Sequence, residues 1–416
     1  MTELKIRRVF PGQLSTGAAA VFLCFIITLI YWPIYGTITK AIISAAAGPV
    51  LGQVEPAVSA KYISVFTEGV FFWTCINAWV WQLLIFAGHG KYTRTKKQPA
   101  AGFRYAGFSL LIGIVAFLAL VGIVGLWWKP FSFAILFTPQ NAQELSLAIE
   151  GWEASNFFCL AVLIGQIPFS SLFQRKPFAG RISSPYDGMG VMGMSLSAAL
   201  ITWVAIFIPS FFRLQIGTEA IISAPFGSWP NTLAFCQGFI FWFLIPAEGG
   251  EQYPMKLFTK KQPWMGVAGL AIALIFGGWL TPMLLGKLVV ALQLLPNLPT
   301  GTVVASLELS CVVFMLTWHH LFDDYPSAAK VKSDGKRVLT RFVIWVVGGL
   351  IYGLIWLRVY TLLPYGANNM GLGYPTMGIL AGQFAFLMVV LYMNTVFDKF
   401  PLVIKEEVPV QEASRS

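Results

Sequence analysis

The sequence predicts an all-α fold, a polytopic transmembrane helical bundle of about ten spans built from parallel repeats of a two-helix hairpin. Three observations lead there. The chain holds ten long apolar runs, its basic residues fall in alternate loops between them, and short segments recur in the same order along it.

Hydrophobic residues make up 57% of the 416-residue chain and charged residues only 11%. A soluble domain keeps roughly a quarter of its residues charged, so most of this surface needs an apolar solvent. Runs of about 20 apolar residues, the length that crosses a bilayer, have approximate cores at 17–36, 62–88, 105–127, 155–173, 190–212, 231–247, 264–286, 302–322, 341–359 and 375–397. The first follows Lys5, Arg7 and Arg8 and is too long for a signal-peptide core, so it reads as an uncleaved span.

The formal charge of +10 would raise the question of nucleic acid in a soluble protein. Here the charges sit in short loops and set topology instead. With the N-terminus inside, only Lys40, Lys61, Lys129, Arg213, Lys287 and Arg358 of the 28 Lys and Arg fall outside, so both ends are expected in the cytoplasm. The expected address is the cell's inner membrane. Residues 1–401 are expected to form one transmembrane domain and 402–416 a disordered cytoplasmic tail.

Thr39–Ala45 (TKAIISA) returns as Thr218–Ala224 (TEAIISA), Glu68–Trp73 (EGVFFW) as Gln237–Trp242 (QGFIFW), and Thr95–Pro99 (TKKQP) as Thr259–Pro263. The descending spans close on one pattern: Phe173-Gln174-Arg175-Lys176-Pro177, Phe322-Asp323-Asp324-Tyr325-Pro326 and Phe397-Asp398-Lys399-Phe400-Pro401, with Glu251-Gln252-Tyr253-Pro254 as a partial copy. An interfacial aromatic anchors the helix end and proline stops it. The implied layout is four hairpin copies after span one and a half copy at the end. Copies displaced by an even number of spans keep their orientation, so the repeats are parallel and can enclose a central pathway. Packing alone is the plainer alternative.

Polar residues within spans are functional by default because the hydrocarbon penalises them. Aligning the closing motifs pairs Glu308 with Gln383, and aligning the echoed segments pairs Glu68 with Gln237; Gln166 lies mid-span before Pro168. These five are the candidate substrate-binding residues, against the alternative that they tie helices together. At the cytoplasmic ends, Glu248, Glu251, His319, His320, Asp323 and Asp324 are candidates for a gate or proton relay. On a helix, His319–Asp323 and His320–Asp324 are i, i+4 pairs that can also hold a metal. Candidate helix breaks lie at Gly165–Pro168, Ile245–Glu251 and Gly277–Pro282, where freed backbone groups could bind solute.

Cys24, Cys75, Cys159, Cys236 and Cys311 form no close pair, which disfavours a zinc ribbon or disulfide framework. Three histidines are too few for a many-histidine di-iron oxygenase, and nucleotide-binding and hydrolase motifs are missing. No catalytic residue, cofactor or resident metal is assigned. The expected partners are the lipid bilayer and a small-molecule solute, without nucleic acid; a homo-oligomer or membrane complex stays open. The expected function is a permease, working as a secondary carrier. The alternatives are a membrane-embedded enzyme acting on a lipid or hydrophobic substrate at the cytoplasmic face, or a membrane subunit of a larger complex.

Overall fold

The computed structural model describes residues 2–93, 97–207, 215–216, 219–220, 226, 229–362 and 375–409. Most of the second TKAIISA-like segment, together with Arg94, Thr95, Lys96, Arg213 and the chain beyond Pro409, lies outside them.

The fold is that of a multi-pass helical membrane protein. Among the described residues, eight helices are long and apolar enough to cross a membrane. They are α1 (Gln13–Leu51), α2 (Pro56–Ile85), α3 (Ala100–Val124), α4 (Ala142–Ser171), α5 (Tyr186–Ile206), α7 (Trp264–Ala291), α8 (Thr300–Phe322) and α9 (Asp334–Val359). At the sixth and tenth expected spans stand two more apolar helices, α6 (Trp229–Leu244) and α10 (Pro375–Thr395). The 16 residues of α6 rise only about 24 Å, short of the bilayer core.

Burial sorts the helices into two rings. The most apolar stretch of α2, α4 and α8 is 83% buried, whereas in α1, α3, α5, α7 and α9 it is 17–28% buried. The buried helices are the less apolar ones on the whole, as expected where polar and small residues must face protein and bulky aliphatics must face outward. On α1 the division follows the helical period: Ile26, Ile30, Ile34, Ile38 and Ile42 point out, while Ala20, Cys24, Thr28, Trp32 and Gly36 pack inward.

The central helices form a closed ring in chain order. α2 packs on α4, α4 on α6, α6 on α8 and α8 on α10. The circle closes between α10 and α2, where the Phe72 and Phe384 rings lie 5.8 Å apart and Trp79 Nε1 donates to Thr395 Oγ1 at 3.0 Å.

The closing motifs become one kind of turn. After each central helix two successive residues take positive φ: Ala87 and Gly88, Gln174 and Arg175, Glu251 and Gln252, Asp323 and Asp324, Asp398 and Lys399. Left-handed backbone ends a helix sharply but is unfavourable for residues with a Cβ, so neighbouring contacts must hold it. The aromatic before the turn supplies one. A Cβ on Gly188, Gly266, Gly17 or Gly102 would lie 2.3–2.5 Å from the ring of Phe86, Phe173, Phe322 or Phe397, respectively. Only glycine lets these rings seat. The α6 turn uses charge instead: Arg341 Nη1 donates to Gly249 O at 2.7 Å and Arg337 grips Glu251. Counting each peripheral helix with the central helix that follows as one pair, every turn thus docks on the peripheral helix two pairs further on. The last two turns return to α1 and α3.

Other expectations shift. The three predicted breaks include two that are continuous helix: α4 runs through Pro168, and α7 passes Gly277–Pro282 by a π-helical stretch, Ala273–Leu280. The tail is not wholly free, since β1 (Thr2–Arg8) pairs antiparallel with β2 (Val403–Pro409) and joins the two ends of the chain.

Candidate functional site

On the axis of the central ring lies a narrow cavity to which all five helices contribute. Ile76, Leu163, Ile240, Val312 and Leu387 stand for the lining of α2, α4, α6, α8 and α10 in turn. Two polar side chains bound it, Gln237 from α6 and Glu248 just past that helix. Eleven residues of helix would span about 16 Å, so these two mark opposite ends. The cavity offers only about 50 Å³, room for one or two water molecules. Two π-helical stretches of α2, Phe72–Asn77 and Val80–Ile85, present Ile76 and Leu84 to it.

Beyond Glu248, at the end with the basic loops, a wider vestibule of about 520 Å³ opens. It shares Trp79, Leu84 and Glu248 with the cavity and adds Lys91, Tyr92, His320 and Thr395. Glu248 therefore stands between the two spaces, with His320 on its vestibule side.

The five predicted binding residues are all buried, but they do not converge. Gln237 alone lines the cavity. Neither of its amide atoms has a hydrogen-bond partner, an expensive condition for a buried amide. Glu308 is close by, and its Oε1, packed against the Gly238 backbone, would be 2.8 Å from a Cβ on that glycine. Gln383 is a tie between helices, donating to Ser306 Oγ at 3.0 Å and accepting from Ser310 Oγ at 2.9 Å. Gln166 is another, accepting from Trp81 Nε1 at 2.7 Å and donating to Ser195 Oγ at 3.3 Å. Glu68 accepts from Ser64 within its own helix at 3.4 Å and lies off the cavity.

The gate residues divide as well. His319 does not pair with Asp323. Its Nδ1 meets Asp324 at 2.9 Å, and its Nε2 lies 3.0 Å from Glu248 Oε2. His320 pairs not with Asp324 but with the Asn394 side-chain amide of α10, 2.8 Å from its Nδ1. Its Nε2 is 3.9 Å from Glu248 Oε2. The left-handed turn after Phe322 is the reason: it carries Asp323 off the histidine face and into ion pairs with Arg8, at 3.0 Å, and Lys399. Glu251 belongs to Arg337 and Arg341, a structural clasp away from the vestibule lining. Burial raises the pKa of the Glu248 carboxyl; facing His319 pulls it down, and Asp324 adds to the rise.

Glu248, His319 and His320 thus form a compact cluster, with one ligand atom from each lying within 4.8 Å of the others. Asn394, Thr395 and Lys91 were not predicted as site residues. Asn394 and Thr395 sit just before a closing motif that was legible, but their approach to α8 and α2 depends on ring closure. Asn77 and Asn156, further polar residues within spans, also tie helices, to Cys159 Sγ at 3.1 Å and Val65 O at 3.1 Å. Comparison with known proteins gives no match to a family model, to a curated protein or to a solved structure.

Proposed function

We propose that this protein is a permease, a secondary carrier that moves a small solute along the axis of its five central helices. One observation carries the reading: the axial cavity, bounded by Gln237 and Glu248, continues into a vestibule at the end with the basic loops. Ring-forming helices that seal an apolar constriction between polar ends suit alternating access, in which helices part to admit solute. The unpartnered Gln237 amide supplies hydrogen-bonding capacity that a polar solute would satisfy.

In this reading the chain crosses the inner membrane ten times. Both ends are cytoplasmic, as the basic loops require, and the vestibule is the cytoplasmic mouth. The unit of repetition is a peripheral helix followed by a central one, five times over. Its support is the recurrent turn and the recurrent Phe–glycine seat.

The experiment is solute uptake by proteoliposomes holding the full chain, screened over labelled amino acids, organic acids and inorganic ions. Saturable uptake of at least one class is expected, and Val312→Trp, which plugs the constriction, should abolish it. Uptake that survives both Val312→Trp and Gln237→Leu in folded protein would place the pathway elsewhere.

A further inference from the structure

We propose that Glu248, His319 and His320 form a binding site for a divalent transition-metal ion of the zinc class, at the junction of axial cavity and vestibule. The site does not depend on which solute the axis carries.

The donor atoms are already gathered. Nε2 of His319 and Nε2 of His320 face the same carboxylate oxygen of Glu248, at 3.0 Å and 3.9 Å. Ligand atoms about 2.0–2.2 Å from a tetrahedral zinc ion stand about 3.3–3.5 Å apart, so these separations bracket the required spacing. The contacts are close without being hydrogen bonds. Glu248 Oε2 and His320 Nε2 are both buried and both lack a partner in hydrogen-bonding geometry. Three donor atoms gathered within 4.8 Å of one another, two of them buried without a hydrogen-bond partner, are what an ion would organise.

The outer shell fits as well. Metal-binding histidines are normally fixed through the ring nitrogen that does not bind the ion, by a carboxylate or another hydrogen-bonding group. Asp324 holds His319 Nδ1 at 2.9 Å, and the Asn394 amide holds His320 Nδ1 at 2.8 Å. With the amide turned so that its oxygen accepts from Nδ1–H, His320 Nε2 is left with its lone pair. Two imidazoles and one carboxylate suit zinc, cobalt, nickel or iron over calcium or magnesium, which prefer oxygen donors. The remaining coordination positions would face the vestibule, whose lining includes both Glu248 and His320.

The site draws on three central helices: Glu248 follows α6, the histidines end α8, and Asn394 lies on α10. A bound ion would therefore pin the ends of these helices together at the mouth. The competing account is an acid–base cluster that binds no ion.

The test uses the full chain, purified in detergent with a histidine-free tag and stripped with chelator. Zn²⁺ and Co²⁺ uptake is measured by equilibrium dialysis with elemental analysis, and Co²⁺ ligation by visible absorption. One ion per chain is expected, along with a ligand-field spectrum. Glu248→Gln and the double variant His319→Gln/His320→Gln should each weaken binding at least tenfold. Asp324→Asn should weaken it by about tenfold through loss of outer-shell support, and His89→Ala should leave it unchanged. Wild-type protein that takes up no more ion than the double variant would overturn the proposal. Should the double variant fail to fold, a wild type without a Co²⁺ spectrum would overturn it equally.

Discussion

The ring of Phe322 occupies the space that a side chain on Gly17 would need, with its Cδ1 2.4 Å from the position of a Cβ. The contact joins the end of α8 to the start of α1, some three hundred residues apart in sequence. Phe397 and Gly102 repeat it at 2.3 Å, between α10 and α3.

Gly17→Ala and Gly102→Ala should each destabilise the protein by about 1–3 kcal/mol, the usual range for overpacking a tight contact. Gly48→Ala in the same α1 helix meets nothing within 4 Å and should be neutral or mildly stabilising. Thermal unfolding in detergent separates the two outcomes; equal effects at Gly17 and Gly48 would remove the seat from the account.

Gln237 and Gln383 should behave in opposite ways. Gln383→Leu breaks a fully made tie to Ser306 and Ser310 and should lower stability by about 1–3 kcal/mol. Gln237→Leu removes a buried amide with no partners, so stability should hold or rise by about 1 kcal/mol while uptake falls. Loss of stability at Gln237 would mean that the amide is already satisfied.

Asp398 offers a pH test. Burial alone would raise its pKa, but hydrogen bonds from Tyr92, Gln98 and Lys91 hold it below the ordinary value. A depressed folded-state pKa stabilises the fold above the unfolded carboxylate value, about 3.9, and that stability is lost as pH falls through the folded value. Asp398→Asn should therefore cost about 2 kcal/mol near neutrality through loss of the carboxylate that accepts from Lys91. The difference between variant and wild type should shrink below about pH 4. A gap that stays constant in melting curves from pH 7 to pH 3 would contradict the ion-pair assignment.

Accessibility tests the two spaces on the axis. Thr395→Cys in the vestibule should react with a membrane-impermeant maleimide from the cytoplasmic face, and Val312→Cys in the constriction should resist it. The native cysteines are buried or partly so and give a low background. Labelling of Thr395→Cys only from the opposite face would reverse the proposed orientation.

How much of this was legible depends on the range of the signal. Long apolar runs locate helices because each run is local, and most of the expected spans have a helix of crossing length. The closing motif announced a shared turn, since aromatic and proline signals lie within a few residues of it. The TKKQP echo also has a local cause. Gln98 and Gln262 each accept from the amide of a glycine four residues on, Gly102 at 3.1 Å and Gly266 at 3.2 Å. Each also donates to the end of a distant central helix, at Val396 O and Leu172 O.

The sorting of polar residues was not legible. Gln237 and Gln383 look alike in sequence, and only the neighbouring helix decides which one meets two serines and which meets a cavity. The helical spacing that joined His319 to Asp323 failed for a similar reason. It assumed that the helix continues, whereas the chain turns left-handed at Asp323.

The docking pattern that skips one pair draws a pentagram rather than a pentagon around the axis. Its consequence falls on the order of assembly during synthesis. When three pairs have emerged from the ribosome, only the seat of Phe86 on Gly188 can be made. The seat of Phe322 on Gly17 waits for α8, and that of Phe397 on Gly102 waits for the stretch beyond α10. The earliest helices thus stay unlatched until the latest ones arrive, and a nascent chain stalled after α8 would still leave Gly102 empty.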